Sequence, residues 1–204
     1  GSMVYDPFVG TGSILVSASI QGAICFGCDI DIRVLMGYSV GQINKRSSYV
    51  NSIDSFNCKN LFLNFHQYNL PVPEIFRSDS QAQSFLYKDL FDSIVCDPPY
   101  GIRAASKEIG NRKGKIHSSK DSEADYCIPT KKASVVNMAL RLIEMAKVYL
   151  KVGGRLVFLY PVFTDDNPDE FFKSVQGLSL VSYSENRLNN GQYSRFLFTF
   201  EKKQ

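Results

Sequence analysis

Histidine is scarce in this 204-residue chain and cysteine is scattered: the sequence holds His66 and His117, cysteines at 25, 28, 58, 96 and 127, and no tryptophan. An odd number of cysteines without framework spacing argues against a disulfide-stapled secreted domain and for a reducing, cytoplasmic setting. Cys25-Phe26-Gly27-Cys28 has zinc-knuckle spacing but falls in a strand-like run, where positions 25 and 28 face opposite sides of a sheet. No second pair completes a tetrahedral set, so these read as packed thiols and no metal site is expected. No apolar run reaches membrane-spanning length and no signal-peptide pattern opens the chain, so a membrane partner is not expected. Charge of one sign is lacking too, since 23 basic against 20 acidic residues leave +3 and a pI near 8.5. That balance permits a nucleic-acid partner without demanding one.

Hydrophobic residues make up 44% of the chain and charged residues 21%, ordinary values for a globular protein with a substantial core. Gly1-Ser2-Met3 reads as a cloning remnant, and residues 4–204 as one domain of a longer protein, without internal repeats or low-complexity tracts.

The stretch that organises the rest is Asp97-Pro98-Pro99-Tyr100-Gly101, directly after the apolar run Ile94-Val95-Cys96. Two prolines offer no N–H to a ladder, so a strand must stop there. A carboxylate, two rigid carbonyls and an aromatic ring are thereby held at the carboxyl end of a strand, the edge where open α/β sheets bind ligands. Upstream, Val4-Tyr5 opens a first strand that passes into Asp6-Pro7-Phe8-Val9-Gly10-Thr11-Gly12, and Ser13 starts a helix that Gly22 ends. Strand, glycine-rich turn and helix bring backbone close to a ligand and aim N–H groups at it. The glycine spacing is not the nicotinamide-type fingerprint.

A second strand, 23–28, ends in Asp29-Ile30-Asp31, with Asp29 seventeen residues after Gly12. Asp29 is placed either to accept hydrogen bonds from a ribose or to cap a helix. A short strand over 74–77 leads to Asp79, a third acidic strand end, suited to accept the exocyclic amine of an adenine. A helix over 58–68 with Leu61, Phe65 and Tyr68 on one face reads as a core helix or, in part, as a dock for another chain. Residues 103–129 carry Arg103, Lys107, Arg112, Lys113, Lys115 and Lys120, either as a solvated loop or as a substrate-gripping lid. Apolar spacing predicts a helix over 130–150, then a strand over 155–160, a short helix over 171–175 and strands over 178–184 and 195–200 around Asn189-Asn190-Gly191. The expected fold is α/β: a seven-stranded, mostly parallel sheet in the order 3-2-1-4-5-7-6, helices on both faces, and a C-terminal antiparallel hairpin. Its third strand is then an exposed edge.

Asp6 to Gly12, Cys28-Asp29-Ile30-Asp31, Asp79, and Asp97-Pro98-Pro99-Tyr100-Gly101-Ile102-Arg103 together resemble a class I, Rossmann-like S-adenosyl-L-methionine-dependent methyltransferase acting on exocyclic amines. The chain is most similar to the catalytic domain of the eukaryotic tRNA guanosine N2-methyltransferases acting on position ten, as are His66-Gln67-Tyr68-Asn69-Leu70 and Ser194-Arg195. The resemblance covers essentially the whole chain, with 44–57 and 103–129 divergent; full-length members add an N-terminal THUMP domain. It implies S-adenosyl-L-methionine as cofactor, tRNA as substrate and a small zinc-binding activator subunit as partner. It also implies site roles: Asp6, Phe8, Gly10 and Gly12 at the methionine and ribose, Asp29 on the ribose, Ile30 on the adenine ring and Asp79 at its amine. Asp97, Pro98, Pro99 and Tyr100 form the catalytic motif, and Gly101 and Arg103 face the substrate, Arg103 toward phosphate. The glycine loop precedes the Asp-Pro-Pro-Tyr motif, which excludes permuted DNA enzymes. An amine methyltransferase on ribosomal RNA, DNA or protein glutamine, and a non-catalytic cofactor-binding subunit, remain as alternatives.

Overall fold

In the computed structural model the described residues are 1–35, 61–80, 85–99, 107–109, 130–132, 135–163, 172, 175–187 and 193–204. In chain order their elements are β1 (Met3–Asp6), α1 (Ser13–Ile20), β2 (Ile24–Asp29), α2 (Ile32–Leu35), α3 (Phe62–Gln67), β3 (Glu74–Arg77) and β4 (Phe91–Cys96). β5 (Lys107–Ile109), β6 (Thr130–Lys132), α4 (Val135–Tyr149), β7 (Leu150–Phe163), β8 (Leu178–Arg187) and β9 (Tyr193–Lys202) follow.

Short apolar strands separated by helices favour parallel pairing, because each helix carries the chain back over the sheet before the next strand. The sheet follows that rule. β1 pairs in parallel with β2 and β4, β2 with β3, and β4 with β7. The terminal hairpin then adds antiparallel, β9 against both β7 and β8. The order is β3-β2-β1-β4-β7-β9-β8, which is the expected 3-2-1-4-5-7-6 once the sheet's own seven strands are counted. β3 is an edge, as expected, with Tyr68 and Val72 exposed close to it in sequence.

Two cores hold helices on the two faces. On one, Ala139, Leu142, Ile143 and Ala146 of α4 cover Tyr5, Cys28, Ile94, Cys96, Leu156, Phe158, Phe198 and Phe200. On the other, Leu15 of α1 and Phe65 of α3 pack with Val9, Cys25, Leu35 and Leu61. Each such large side chain, fully buried, contributes about 1.5–3 kcal/mol. Cys25 and Cys28 sit in different cores, as the two-residue period of a strand requires, and both are free thiols. No described helix is long and apolar enough to cross a membrane.

Several boundaries differ from those read in the sequence. The helix expected over 130–150 starts at Val135, because Thr130–Lys132 pairs antiparallel with Lys107–Ile109 in a separate two-stranded ribbon. The strand expected over 155–160 runs from Leu150 to Phe163. It begins where α4 ends and absorbs its extra residues in a bulge opposite β4, where Gly153 adopts φ +77°. α3 ends at Gln67, so Tyr68 lies beyond the helix, 56% exposed, rather than on its buried face. The predicted helix over 171–175 lies outside the described residues except for Phe172 and Val175.

One glycine fixes how the site end of the sheet is built. A Cβ on Gly27 would lie 2.1 Å from Val9 Cγ2 and 2.9 Å from Leu15 Cδ1, so only glycine lets the turn after β1 and helix α1 close onto β2. Gly27→Ala is expected to lower stability by about 1–3 kcal/mol, read as a lower urea midpoint at constant m-value; an unchanged midpoint would show that the turn moves without cost.

Candidate functional site

The four parallel strands β3, β2, β1 and β4 lie side by side, and an aspartate stands at or just beyond the carboxyl end of each: Asp79, Asp29, Asp6 and Asp97. Between β1 and β4 the direction of sheet growth reverses, since the chain leaves the β3 edge and crosses to the far side of β1. Such a switch point opens a crevice outside the strand ends. Asp6 and Asp97 flank it.

Asp6 is 1% exposed. Its Oδ1 accepts the Phe8 N–H at 2.9 Å, while Oδ2 is enclosed with no partner among the described residues. Burial pushes its carboxyl up to about 7, and the charges of Asp29 and Asp97 add to the rise against the Phe8 bond. The buried Cys96 thiol is likewise pushed well up, by burial first and then by Asp6 and Asp97, so it stays neutral.

The turn after β1 ties up most of its own N–H groups. Val9 N–H reaches Cys28 O at 2.9 Å, Gly12 N–H reaches Val9 O at 2.8 Å, and Gly10 N–H reaches Asp29 Oδ2 at 3.0 Å. Gly10 and Gly12 have φ +52° and +84°, in the left-handed region where a Cβ is penalised. Gly12 is also the N-cap of α1 and brings no side-chain cap, so the first-turn N–H groups have no side-chain acceptor there.

Asp29 does more than the two readings of the sequence allowed. Its Oδ2 holds Gly10 and its Oδ1 accepts Asp31 N–H at 2.9 Å, so one carboxylate braces the glycine turn and the start of α2 together. Burial raises its carboxyl, and those backbone hydrogen bonds oppose the rise. Ile30 is half-buried beside it, and its carbonyl accepts Arg77 Nε at 3.3 Å. Asp79 is 7% exposed at the end of β3, where Ser78 N–H reaches Asp29 O at 3.2 Å and links the two strand tips.

After β4, Pro98 is buried and Pro99 half-buried, while the Asp97 side chain is 44% exposed at the crevice. Arg195 of β9 places Nη1 3.8 Å from Asp97 Oδ2. The structure thus brings together Asp6, Phe8, Gly10, Gly12, Asp29, Ile30, Asp79, Asp97, Pro98 and Pro99 at one sheet edge. Tyr100, Gly101 and Arg103 lie outside the described residues. Sequence reasoning gave no role to Gly27 or Arg195. A glycine inside a strand was the available signal for the first, and an arginine entering a run of alternating phenylalanines for the second.

A family model described as RMKL-like, methyltransferase domain, matches residues 1–147. The tRNA (guanine(10)-N(2))-methyltransferase TRMT11 of Gallus gallus is 33% identical over 98% of this chain and 42% of its own length. The enzyme of that name from Homo sapiens is 32% identical over 98% of the chain and 43% of its own. The tRNA (guanine(10)-N(2))-methyltransferase of Schizosaccharomyces pombe is 31% identical over 99% and 39%. The chain therefore spans about two-fifths of the length of these relatives. Among solved structures, an rRNA methylase from Streptococcus thermophilus superposes with a TM-score of 0.56 at 15% identity, covering 100% of this chain and 88% of the other. Trm5b from Pyrococcus abyssi gives 0.57 at 14%, covering 100% and 45%. The fold is that of class I methyltransferases.

Asp6 gives the site a pH signature. Its carboxyl sits at about 7 when folded against an ordinary 3.8, so folding takes up a proton between those values. The associated stability is present below about pH 4 and is lost as the pH rises through about 7, on the order of 4 kcal/mol at most. Asp6→Asn keeps an acceptor for Phe8 N–H and removes the titration. Urea unfolding across this range is expected to slope downward with pH in the wild type and to flatten in the variant; equal slopes would assign the titration elsewhere.

Proposed function

Because the chain belongs to the RMKL-like methyltransferase domain family, we propose that it transfers a methyl group from S-adenosyl-L-methionine to the exocyclic N2 amine of a guanosine in tRNA. The observation that carries this reading is the row of aspartates ending β3, β2, β1 and β4, with Asp97-Pro98-Pro99 closing the fourth strand at the switch point. The printed names of the curated relatives support the choice of acceptor.

The residues at the strand ends fit the cofactor. The enclosed, unpartnered Oδ2 of Asp6 offers an acceptor to a cationic amine, which would draw that carboxyl back to its ionised form. Phe8, Gly10, Gly12 and the uncapped start of α1 line the methionine end. Asp29 holds the ribose with the lone pairs its two backbone contacts leave, Ile30 packs on the adenine and Asp79 accepts the adenine amine. When bound, S-adenosyl-L-methionine supplies an electrophilic methyl group on a positively charged sulfur.

The chain's own task is to make a poor nucleophile react, because the N2 lone pair is delocalised into the guanine ring. The Asp97 carboxylate and the Pro98 carbonyl accept the two N–H bonds, draw the nitrogen toward a tetrahedral shape and stabilise charge as it develops. Two successive prolines hold those acceptors without a conformational search. Tyr100 stacks on the base, Gly101 lets the backbone pass close to it and Arg103 contacts phosphate, all three assigned from the motif. A base within a helix must be splayed out to reach the crevice. The edge of β3 serves a small zinc-binding activator subunit, which can add a strand beside exposed Tyr68 and Val72. Buried free thiols at Cys25, Cys28 and Cys96 are in keeping with a cytoplasmic setting.

The test supplies the protein and candidate activator with labelled S-adenosyl-L-methionine and unmodified tRNA, and maps the methylated nucleoside by mass spectrometry. N2-methylguanosine is the expected product. Asp97→Ala is expected to abolish it while cofactor affinity stays within about twofold; turnover surviving in that variant would refute the role of Asp97. The activator is expected to co-elute with the protein, and separate elution would remove it from the scheme.

A further inference from the structure

The carboxyl of Asp6 is built as one half of an ion pair. It ends β1 at the switch point and is 1% exposed. Its Oδ1 accepts the Phe8 N–H at 2.9 Å, while Oδ2 is enclosed and has no partner among the described residues. A buried anionic oxygen with neither hydrogen bond nor counter-ion is costly, so a carboxyl left in that state keeps its proton. Oδ1 is already engaged, which leaves Oδ2 to carry it.

The surroundings supply no counter-charge. From β2, Asp29 faces Asp6, with its own oxygens on the N–H groups of Gly10 and Asp31. From β4 come Asp97 and the Cys96 thiol, which burial keeps neutral. Arg195 of β9 stands 3.8 Å from Asp97 Oδ2, and among the described residues no cation pairs with Asp6. The turn over 7–12 and helix α1 carry no charged or titratable side chain. α3 meets that turn through Leu61 and Phe65, and its His66 is exposed. Burial first, then the charges of Asp29 and Asp97, hold the Asp6 carboxyl up at about 7.

On the reading that this edge binds S-adenosyl-L-methionine, we propose that Asp6 is a proton gate on the cofactor. In the free protein Oδ2 carries a proton. As Oδ2 accepts an N–H of the donor's ammonium group, its own O–H bond breaks and that proton passes to solvent. The ammonium keeps its protons, so one cation enters the enclosure for each proton that leaves. Acid opposes the exchange, because the carboxyl must ionise before it can pair. Below the folded value of about 7, each pH unit weakens cofactor binding roughly tenfold. A ligand without an ammonium group has nothing to exchange and escapes the gate.

The experiment measures binding by calorimetry in buffers of different ionisation enthalpy, which counts the protons released. The probes are S-adenosyl-L-homocysteine, which keeps the ammonium group, and 5′-methylthioadenosine, which lacks it. With S-adenosyl-L-homocysteine, close to one proton is expected to leave at about pH 5.5 and progressively fewer as the pH rises through about 7. Its affinity at about pH 7.5 is expected to exceed that at about pH 5.5 by roughly tenfold or more. 5′-Methylthioadenosine is expected to release no proton and to bind equally well across that range. Asp6→Asn is expected to abolish the release and to hold S-adenosyl-L-homocysteine at the weak affinity of the wild type in acid. Binding of S-adenosyl-L-homocysteine without proton release at about pH 5.5 overturns the proposal, as does equal release with both probes or release that persists in Asp6→Asn. The two probes on wild type decide the matter even where the variant does not fold. Failure of both probes to bind at any pH would refute the cofactor reading itself.

Discussion

The convergence of carboxyl groups at the ends of adjacent parallel strands is the constraint on which the rest of this site depends. Parallel pairing with right-handed crossovers brings the carboxyl ends of β3, β2, β1 and β4 to one edge, and each delivers an acid there. Asp6, Asp29 and Asp97 meet three different environments. Asp6 is buried and tends to hold its proton near neutrality. Asp29 accepts two backbone N–H groups. Asp97 stays accessible to solvent and faces a guanidinium. Environment thus sets chemically identical side chains apart.

The second dependency is steric. The turn after β1 approaches β2 closely enough that Gly27 has no room for a Cβ, and the same approach lets Asp29 reach the N–H of Gly10. The turn is therefore fastened from β2 rather than by its own glycines alone. The aromatic core stiffens the support: Tyr5 stacks on Phe91 at 4.9 Å, and Phe158 on Phe200 at 6.0 Å, under the helix α4. The crevice lies at and just beyond the ends of these packed strands.

Most of the architecture was legible because the signals were local and periodic. Two-residue alternation separated Cys25 from Cys28, and the 3.6-residue period placed Met138, Ala139, Leu142 and Ala146 on the buried face of α4. Pro98 and Pro99 marked the end of β4. The misread boundaries share another cause. Thr130–Lys132 continues the helical pattern of α4 in sequence, yet pairs with Lys107–Ile109, a partner more than twenty residues away that no local pattern announces. The start of β7 was missed because its bulge at Gly153 imitates a helix stop.

By itself the sequence determined the strand order and the motifs at the strand tips, because each depends on residue types at short spacing, while the expected class of chemistry came from the family resemblance those motifs carry. Only the tertiary structure decided what those side chains do to one another. Asp6 holds a proton to about pH 7 because desolvation and neighbouring charges act on it through space. Asp29 became a brace, Gly27 a contact point and Arg195 the partner of Asp97 because β1, β2, β4 and β9 meet at one edge. Those strands come together only when the sheet is assembled.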